Sequence, residues 1–382
     1  MIPGPIEYEN NVLNVMSIPT ISHSSKEFIS IYREALLNVS SIFGSSAAES
    51  LPFIISGSGT LGMEASTVNF ITRESRVLVV NTGYFGERFV DLLSRFTDKI
   101  EQIKPSLGEA IDPRLVQEKL ATNEFDLMTI THVDTSTGVK NDVKRVAEIS
   151  RKTNTLLVVD GVCSVGGEHI DMRWGIDVAF TASQKAIGAP PGLAIGVVGS
   201  RGLSRMERVK PLTFYSDLRK WGKVSKGVLE SKGGYFGTPN VNLIAALNVS
   251  LGNIMQEGLD RRIRRHERMA SAIRAGTDIL GLELIAKTSP ANTVSAFYLP
   301  ERVDSKKFLA DAEENGAVFA SGILPGISDK YFRIGHMGSI TSSDVLVALG
   351  AIERALHTNG VKVKLGESLS AAQEILKSPA NP

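Results

Sequence analysis

With 382 residues, 42% of them hydrophobic, the chain can bury a sizeable core and is long enough for two domains. Its 42 basic and 41 acidic side chains leave a formal charge of +1, which gives no electrostatic footing for a nucleic acid or an anionic membrane. The single cysteine, Cys163, excludes an internal disulfide framework.

The start, Met1-Ile2-Pro3-Gly4-Pro5-Ile6-Glu7, lacks the basic and apolar regions of a signal peptide. No apolar run approaches the roughly 20 residues that span a bilayer. A cytoplasmic protein that acts on small molecules is the expectation. Between residues 50 and 200, short runs of Val, Ile and Leu alternate with longer amphipathic stretches, the pattern of a mainly parallel sheet covered by helices. The predicted strands are Phe53–Ser56, Arg76–Asn81, Leu127–Thr131, Leu156–Asp160, Val178–Thr181 and Ala194–Val198. A basic helix is predicted from Leu259 to Leu280, followed by a strand at Thr293–Leu299, a helix at Ser305–Asn315, a strand at Tyr331–Ile334 and a helix at Ser342–Leu356. These elements suggest a smaller α+β domain over residues 259–382, after a large α/β domain over 21–258 and an N-terminal arm over 1–20. The tail beyond Thr358 holds one short predicted helix, Ser368–Leu376, and its extreme end reads as disordered.

In open α/β sheets ligands bind beyond the carboxyl ends of the strands, so the residues that follow each run carry the functional reading. After the first run, Gly57-Ser58-Gly59-Thr60-Leu61-Gly62 satisfies the G-x-G-x-x-G spacing of dinucleotide folds. Such a fold also needs an acid closing the next strand, and that strand closes on Asn81-Thr82-Gly83. What remains is an anion site: Ser58, Gly59 and Thr60 at a helix start expose backbone N–H groups to a phosphate. An ordinary hydroxyl-capped glycine turn reads the same way from this segment alone.

The run Leu156–Val159 ends in Asp160, and the run Val178–Thr181 is followed by Ala182-Ser183-Gln184-Lys185. A lysine and a carboxylate at neighbouring strand ends suit carbonyl chemistry: the amine condenses with an aldehyde and shuttles protons, while the carboxylate keeps a ring nitrogen protonated. Taken singly, Asp160 reads as a helix cap and Lys185 as a solvated surface lysine. Between Gly83 and Gly86, Phe85 is placed to stack on a flat ring, or to pack in the core.

In this order the chain resembles the class V branch of fold-type I pyridoxal-phosphate enzymes, and within it the serine–pyruvate and alanine–glyoxylate aminotransferases. The resemblance runs through Gly4-Pro5, Pro19, His23, Phe28, Ser56–Thr60, Gly83–Gly86, His132–Val139, Val159–Val162, Ser183–Lys185 and Arg333–Gly335. It implies an α/β fold with a large mainly parallel sheet sandwiched by helices, a smaller C-terminal α+β domain, and pyridoxal 5'-phosphate as cofactor. It implies Ser58, Gly59, Thr60 and Gln184 at the phosphate, Phe85 on the ring face, Thr135 near the ring hydroxyl, Asp160 at the ring nitrogen, Val162 beneath the ring and Lys185 as the Schiff-base lysine. Phe85 and Thr60 replace the tryptophan and histidine of many relatives. Tyr235 and Thr238 look like the pair lent to the phosphate site of the other subunit, which makes the expected active unit a homodimer with shared sites. Arg333 resembles the arginine that grips the substrate carboxylate, with Gly4 and His23 closing the pocket and the arm over residues 1–20 covering it. No metal site is implied.

The implied reaction is ping-pong transfer of an amino group from serine or alanine to glyoxylate or pyruvate. A cysteine desulfurase needs a thiolate on a mobile loop, yet Cys163 lies three residues after Asp160 and the loop Phe319–Asp329 has no cysteine. A lyase, a decarboxylase or an epimerase shares the cofactor residues. A non-catalytic cofactor-binding protein tends to lose the lysine or the carboxylate anchor, and both are present.

Overall fold

The computed structural model describes residues 1–377; the extreme C-terminus, expected to be disordered, lies outside them. Seven strands form the large sheet: β1 Leu51–Ser56, β2 Val77–Val80, β3 Ile100–Ile103, β4 Leu127–Thr131, β5 Leu156–Asp160, β6 Val178–Ala182 and β7 Leu193–Val198. Their spatial order is β1-β7-β6-β5-β4-β2-β3, and only β7 runs against its neighbours β1 and β6. The reversal follows from the connection. Residues 183–192 are too few for the crossover helix that a parallel return needs, so β7 folds straight back beside β6, with Ala182 opposite Ala194.

Strands β2, β4, β5, β6 and β7 are buried along their whole length, which is why their sequences read as unbroken apolar runs. β3 is the exception. Ile100-Glu101-Gln102-Ile103 is an edge strand paired only to β2, half exposed, and its polar centre hides it from an apolar-run search. Helices Lys26–Ile42 and Gly59–Val68 pack on the sheet, and Phe28, Phe53, Phe89 and Phe180 fill the core between the layers. Each such ring, fully buried, stabilises the fold by roughly 1.5–3 kcal/mol.

A second, antiparallel sheet orders its strands β8-β10-β9, where β8 is Val294–Tyr298, β9 Ala320–Ser321 and β10 Tyr331–Gly335. It has its own aromatic core, in which Phe332 meets Phe308 at 4.8 Å and Phe319 at 5.7 Å between ring centroids. Helices Leu259–Ile279, Ser305–Glu314 and Ser342–Thr358 accompany it, the last opened by a capping box between Thr341 and Asp344. The first six residues bridge the two sheets: Gly335 N–H donates to Met1 O at 2.9 Å, and Ile6 N–H donates to Gln184 O at 3.3 Å. No helix among the described residues is long and apolar enough to cross a membrane.

Candidate active site

Because β1, β2, β4, β5 and β6 all point the same way, their carboxyl ends share one edge of the sheet. That edge collects Ser58–Thr60, Gly83–Phe85, His132–Thr135, Asp160–Val162 and Gln184–Lys185.

Asp160, 2% exposed, closes β5. Its Oδ1 accepts from Val162 N–H at 2.8 Å, and no described residue donates to Oδ2. Burial pushes its carboxyl up to about 7, helped by the nearby charge of Asp134, while the Val162 hydrogen bond, Lys185 and Arg88 pull it down. A carboxylate in this position gains from a cationic N–H donor at its free oxygen.

Lys185 stands in the β6–β7 connection, partly buried, with its side-chain nitrogen donating to Pro3 O. Burial, then the Arg333 charge, lowers its pKa and favours the neutral, nucleophilic amine, while Cys163 and Asp160 act in the opposite sense. Gly4 lies against the lysine stem with φ +107°; a Cβ there would come within 2.7 Å of Lys185 Cδ.

On the far side of the site, Ser58 is the N-cap of the helix Gly59–Val68, but its hydroxyl oxygen accepts no hydrogen bond from the helix's first N–H groups, and Gly59 lies against Val162, where a Cβ would be 3.2 Å from Cγ2. The buried side-chain oxygen of Gln184 has no partner; a half-turn of the amide presents two N–H donors there instead. A free helix start, a glycine cradle and an unpaired buried amide are features that a phosphorylated ring cofactor would satisfy.

Phe85 is held by an acid absent from the sequence reading. Asp134, fully buried after β4, accepts from Phe85 N–H at 3.1 Å and from Ser136 N–H at 2.9 Å, and Ser136 Oγ accepts from Tyr84 N–H at 3.1 Å. Asp-x-Ser within His132–Gly138 is the local signal for such a side-chain-capped turn. Arg88, one helical turn after Phe85, was equally unsignalled; only its i+3 spacing places it on the same face.

Arg333 enters from β10, 9% exposed. Its Nε donates to Ser321 O at 2.9 Å and its Nη1 to Thr135 O at 3.3 Å. Both partners are neutral carbonyls, so no carboxylate offsets the guanidinium charge; burial lowers its pKa, a cost that an incoming carboxylate would relieve. The hydroxyl of Thr135 meets the thiol of Cys163, which is 1% exposed and pushed up by burial.

Tyr235, Thr238 and His23 form a different group. Tyr235 is 66% exposed; its hydroxyl lies 3.4 Å from Thr238 Oγ1, and its ring centroid is 5.6 Å from that of His23. Asn240 N–H donates to Ser56 Oγ at 3.2 Å, so this loop runs beside the end of β1 without hydrogen-bonding Ser58, Gly59 or Thr60.

A sheet ordered in this way, with a partly buried lysine in its β6–β7 connection and a buried acid ending β5, defines a fold-type I aminotransferase architecture. The ureidoglycine-glyoxylate aminotransferase of Bacillus subtilis superposes on 99% of the chain and 97% of its own length, with a TM-score of 0.92 and 26% identity. The description aminotransferase class-V matches residues 6–322, and the chain belongs to that family, which is pyridoxal-phosphate-dependent. Alanine–glyoxylate aminotransferase 1 of Saccharomyces cerevisiae is 38% identical over 88% of this chain and 91% of its own. Serine–glyoxylate aminotransferase of Hyphomicrobium methylovorum is 33% identical over 99% and 94%.

Proposed function

We propose that the enzyme moves the amino group of a small amino acid, serine or alanine, to a small 2-oxo acid, glyoxylate or pyruvate, by a ping-pong cycle. The observation that carries this reading is the partly buried Lys185 amine beside the buried Asp160 carboxylate, with Arg333 held only by carbonyls. The names of the yeast and Hyphomicrobium relatives support alanine and serine as donors and glyoxylate as acceptor.

Pyridoxal phosphate, when bound, supplies an aldehyde that captures amines and a ring that stores the electron pair left at the substrate Cα. Lys185 Nζ is the amine that holds the aldehyde at rest, gives way to the substrate and then takes the Cα proton, a role its burial favours. Asp160 Oδ2 would hold the proton of the ring nitrogen; Phe85 and Val162 would hold the ring, Thr135 would serve its hydroxyl, and Ser58, Gly59, Thr60 and Gln184 would receive the phosphate. Arg333 grips the substrate α-carboxylate with parallel donors. Pro3 and Gly4 close the pocket against water, as the role of the arm over residues 1–20 requires. Tyr235 and Thr238 reach the phosphate of a second subunit, and His23 closes the pocket beside them, so the active unit is a homodimer. Cys163 is too buried for the exposed thiolate of a desulfurase.

Glyoxylate offered with L-alanine, L-serine or L-aspartate tests the reading. Glycine should form fastest with alanine or serine, in step with pyruvate or hydroxypyruvate, and double-reciprocal plots should be parallel. Glycine from neither donor, or sulfide released from L-cysteine instead, contradicts it.

A further inference from the structure

Arg88 lies on the helix Tyr84–Leu93, one turn beyond Phe85, and its contacts fix where the guanidinium points. The guanidinium carbon is 5.0 Å from the Phe85 ring centroid and 5.1 Å from that of Tyr84. Nη1 donates to Thr60 Oγ1 and Nη2 to the Tyr84 hydroxyl, both at 3.4 Å, the long end of hydrogen bonding. The group is near enough to Asp160 to help hold that carboxyl down. Among the described residues it makes no ion pair, unlike Arg205 with Asp126 or Arg219 with Asp217. A half-buried guanidinium spread over two aromatic faces, with only hydroxyl partners, has its full charge available to an anion.

The anion site it borders is short of positive charge. The helix start at Ser58-Gly59-Thr60 contributes about half a unit, whereas a phosphate monoester brings roughly −1.5 to −2. The other basic groups of the site are turned elsewhere: Lys185 Nζ donates to Pro3 O, and Arg333 donates to Ser321 O and Thr135 O. One guanidinium closes most of the gap, and its long contact with Thr60 is easily exchanged for a phosphate oxygen.

We infer that Arg88 is the cation that neutralises the phosphate ester of the cofactor, acting beside Thr60, while its stem and guanidinium face steady the Phe85 platform. The inference rests on the functional reading above. It distinguishes the phosphate from the rest of the cofactor, and so does its test.

Cofactor-stripped wild type, Arg88→Met and Arg88→Lys are titrated with pyridoxal phosphate and with pyridoxal, which lacks the ester. Protein fluorescence quenching and the visible absorption of the lysine-bound cofactor report binding. Arg88→Met should weaken pyridoxal phosphate by about tenfold or more and pyridoxal by less than about threefold, the scale of one lost charge-assisted contact. Arg88→Lys should recover part of the difference, and high salt should shrink it. Equal losses for both aldehydes, or no loss for either, overturn the inference. If Arg88→Met does not fold, the same comparison on Arg88→Lys decides, with an intermediate, phosphate-selective loss expected. Failure of the wild type to bind either aldehyde is a separate outcome that removes the functional reading and this inference with it.

Discussion

At Asp160 burial and function pull in opposite directions: burial favours the neutral acid, while holding a ring proton needs the carboxylate. The carboxyl titrates near 3.8 in the unfolded chain and near 7 in the folded, cofactor-free one, so the folded chain binds its proton more tightly. The stability this contributes is complete below about pH 4 and is lost as pH rises through 7, a swing of roughly 4 kcal/mol at most. Asp177, raised to about 6 by burial, adds to the same slope. Asp160→Asn keeps an oxygen for Val162 N–H and removes the titration. Cofactor-free Asp160→Asn should therefore unfold at a higher temperature than wild type at pH 8, with the difference closing near pH 4. With cofactor present its transamination should fall by about 10²-fold or more, since no charge remains to hold the ring proton. Thermal scans against pH, paired with initial rates, check both; a pH-independent difference would contradict the account of the shift.

Among the elements, the turn after β2 is tightly determined. Gly83 is extended rather than left-handed, and what demands glycine is space. A Cβ there would lie 2.5 Å from Ser136 Oγ and 2.6 Å from Asp134 Cγ. Gly83→Ala should push the Phe85 turn away from the loop after β4, costing about 1–3 kcal/mol as overpacking does, and weakening cofactor binding in parallel. An unchanged melting temperature and an unchanged cofactor affinity would show that the two loops are not so coupled. The sequence discloses strands such as β4, β5 and β6 because burial on both faces leaves no room for polar residues. β3 escapes because an edge strand needs no such run, and the direction of β7 lies in the length of a connection rather than in any pattern. The candidate site divides likewise. Lys185, Asp160 and the Gly59 turn follow strand ends and are legible, whereas Asp134 and Arg88 act across loops and helix turns that only the folded chain brings together.

Across the whole molecule, the site draws on distant parts of the chain: Pro3 and Gly4 against Lys185, and Arg333 against Thr135. Large apolar side chains remain uncovered at Ile18, Leu212, Phe214 and Tyr235, the kind of surface that a second copy covers. If Tyr235 and Thr238 serve the neighbouring site, mixing inactive Lys185→Ala with an inactive Tyr235→Ala, Thr238→Ala double variant should restore about a quarter of wild-type activity, because half the dimers are hybrids with one intact site. No recovery on mixing, with exchange of subunits verified, would confine each site to one chain. The central claim, that Lys185 performs amino-group transfer, is tested most directly by one half-reaction. Purified wild type and Lys185→Ala receive L-alanine or L-serine without any acceptor, and absorption is followed together with the oxo acid released. Loss of the visible band in the wild type, with about one equivalent of oxo acid per site, and neither change in Lys185→Ala, is the predicted result; a band that persists with no oxo acid from either donor would contradict it.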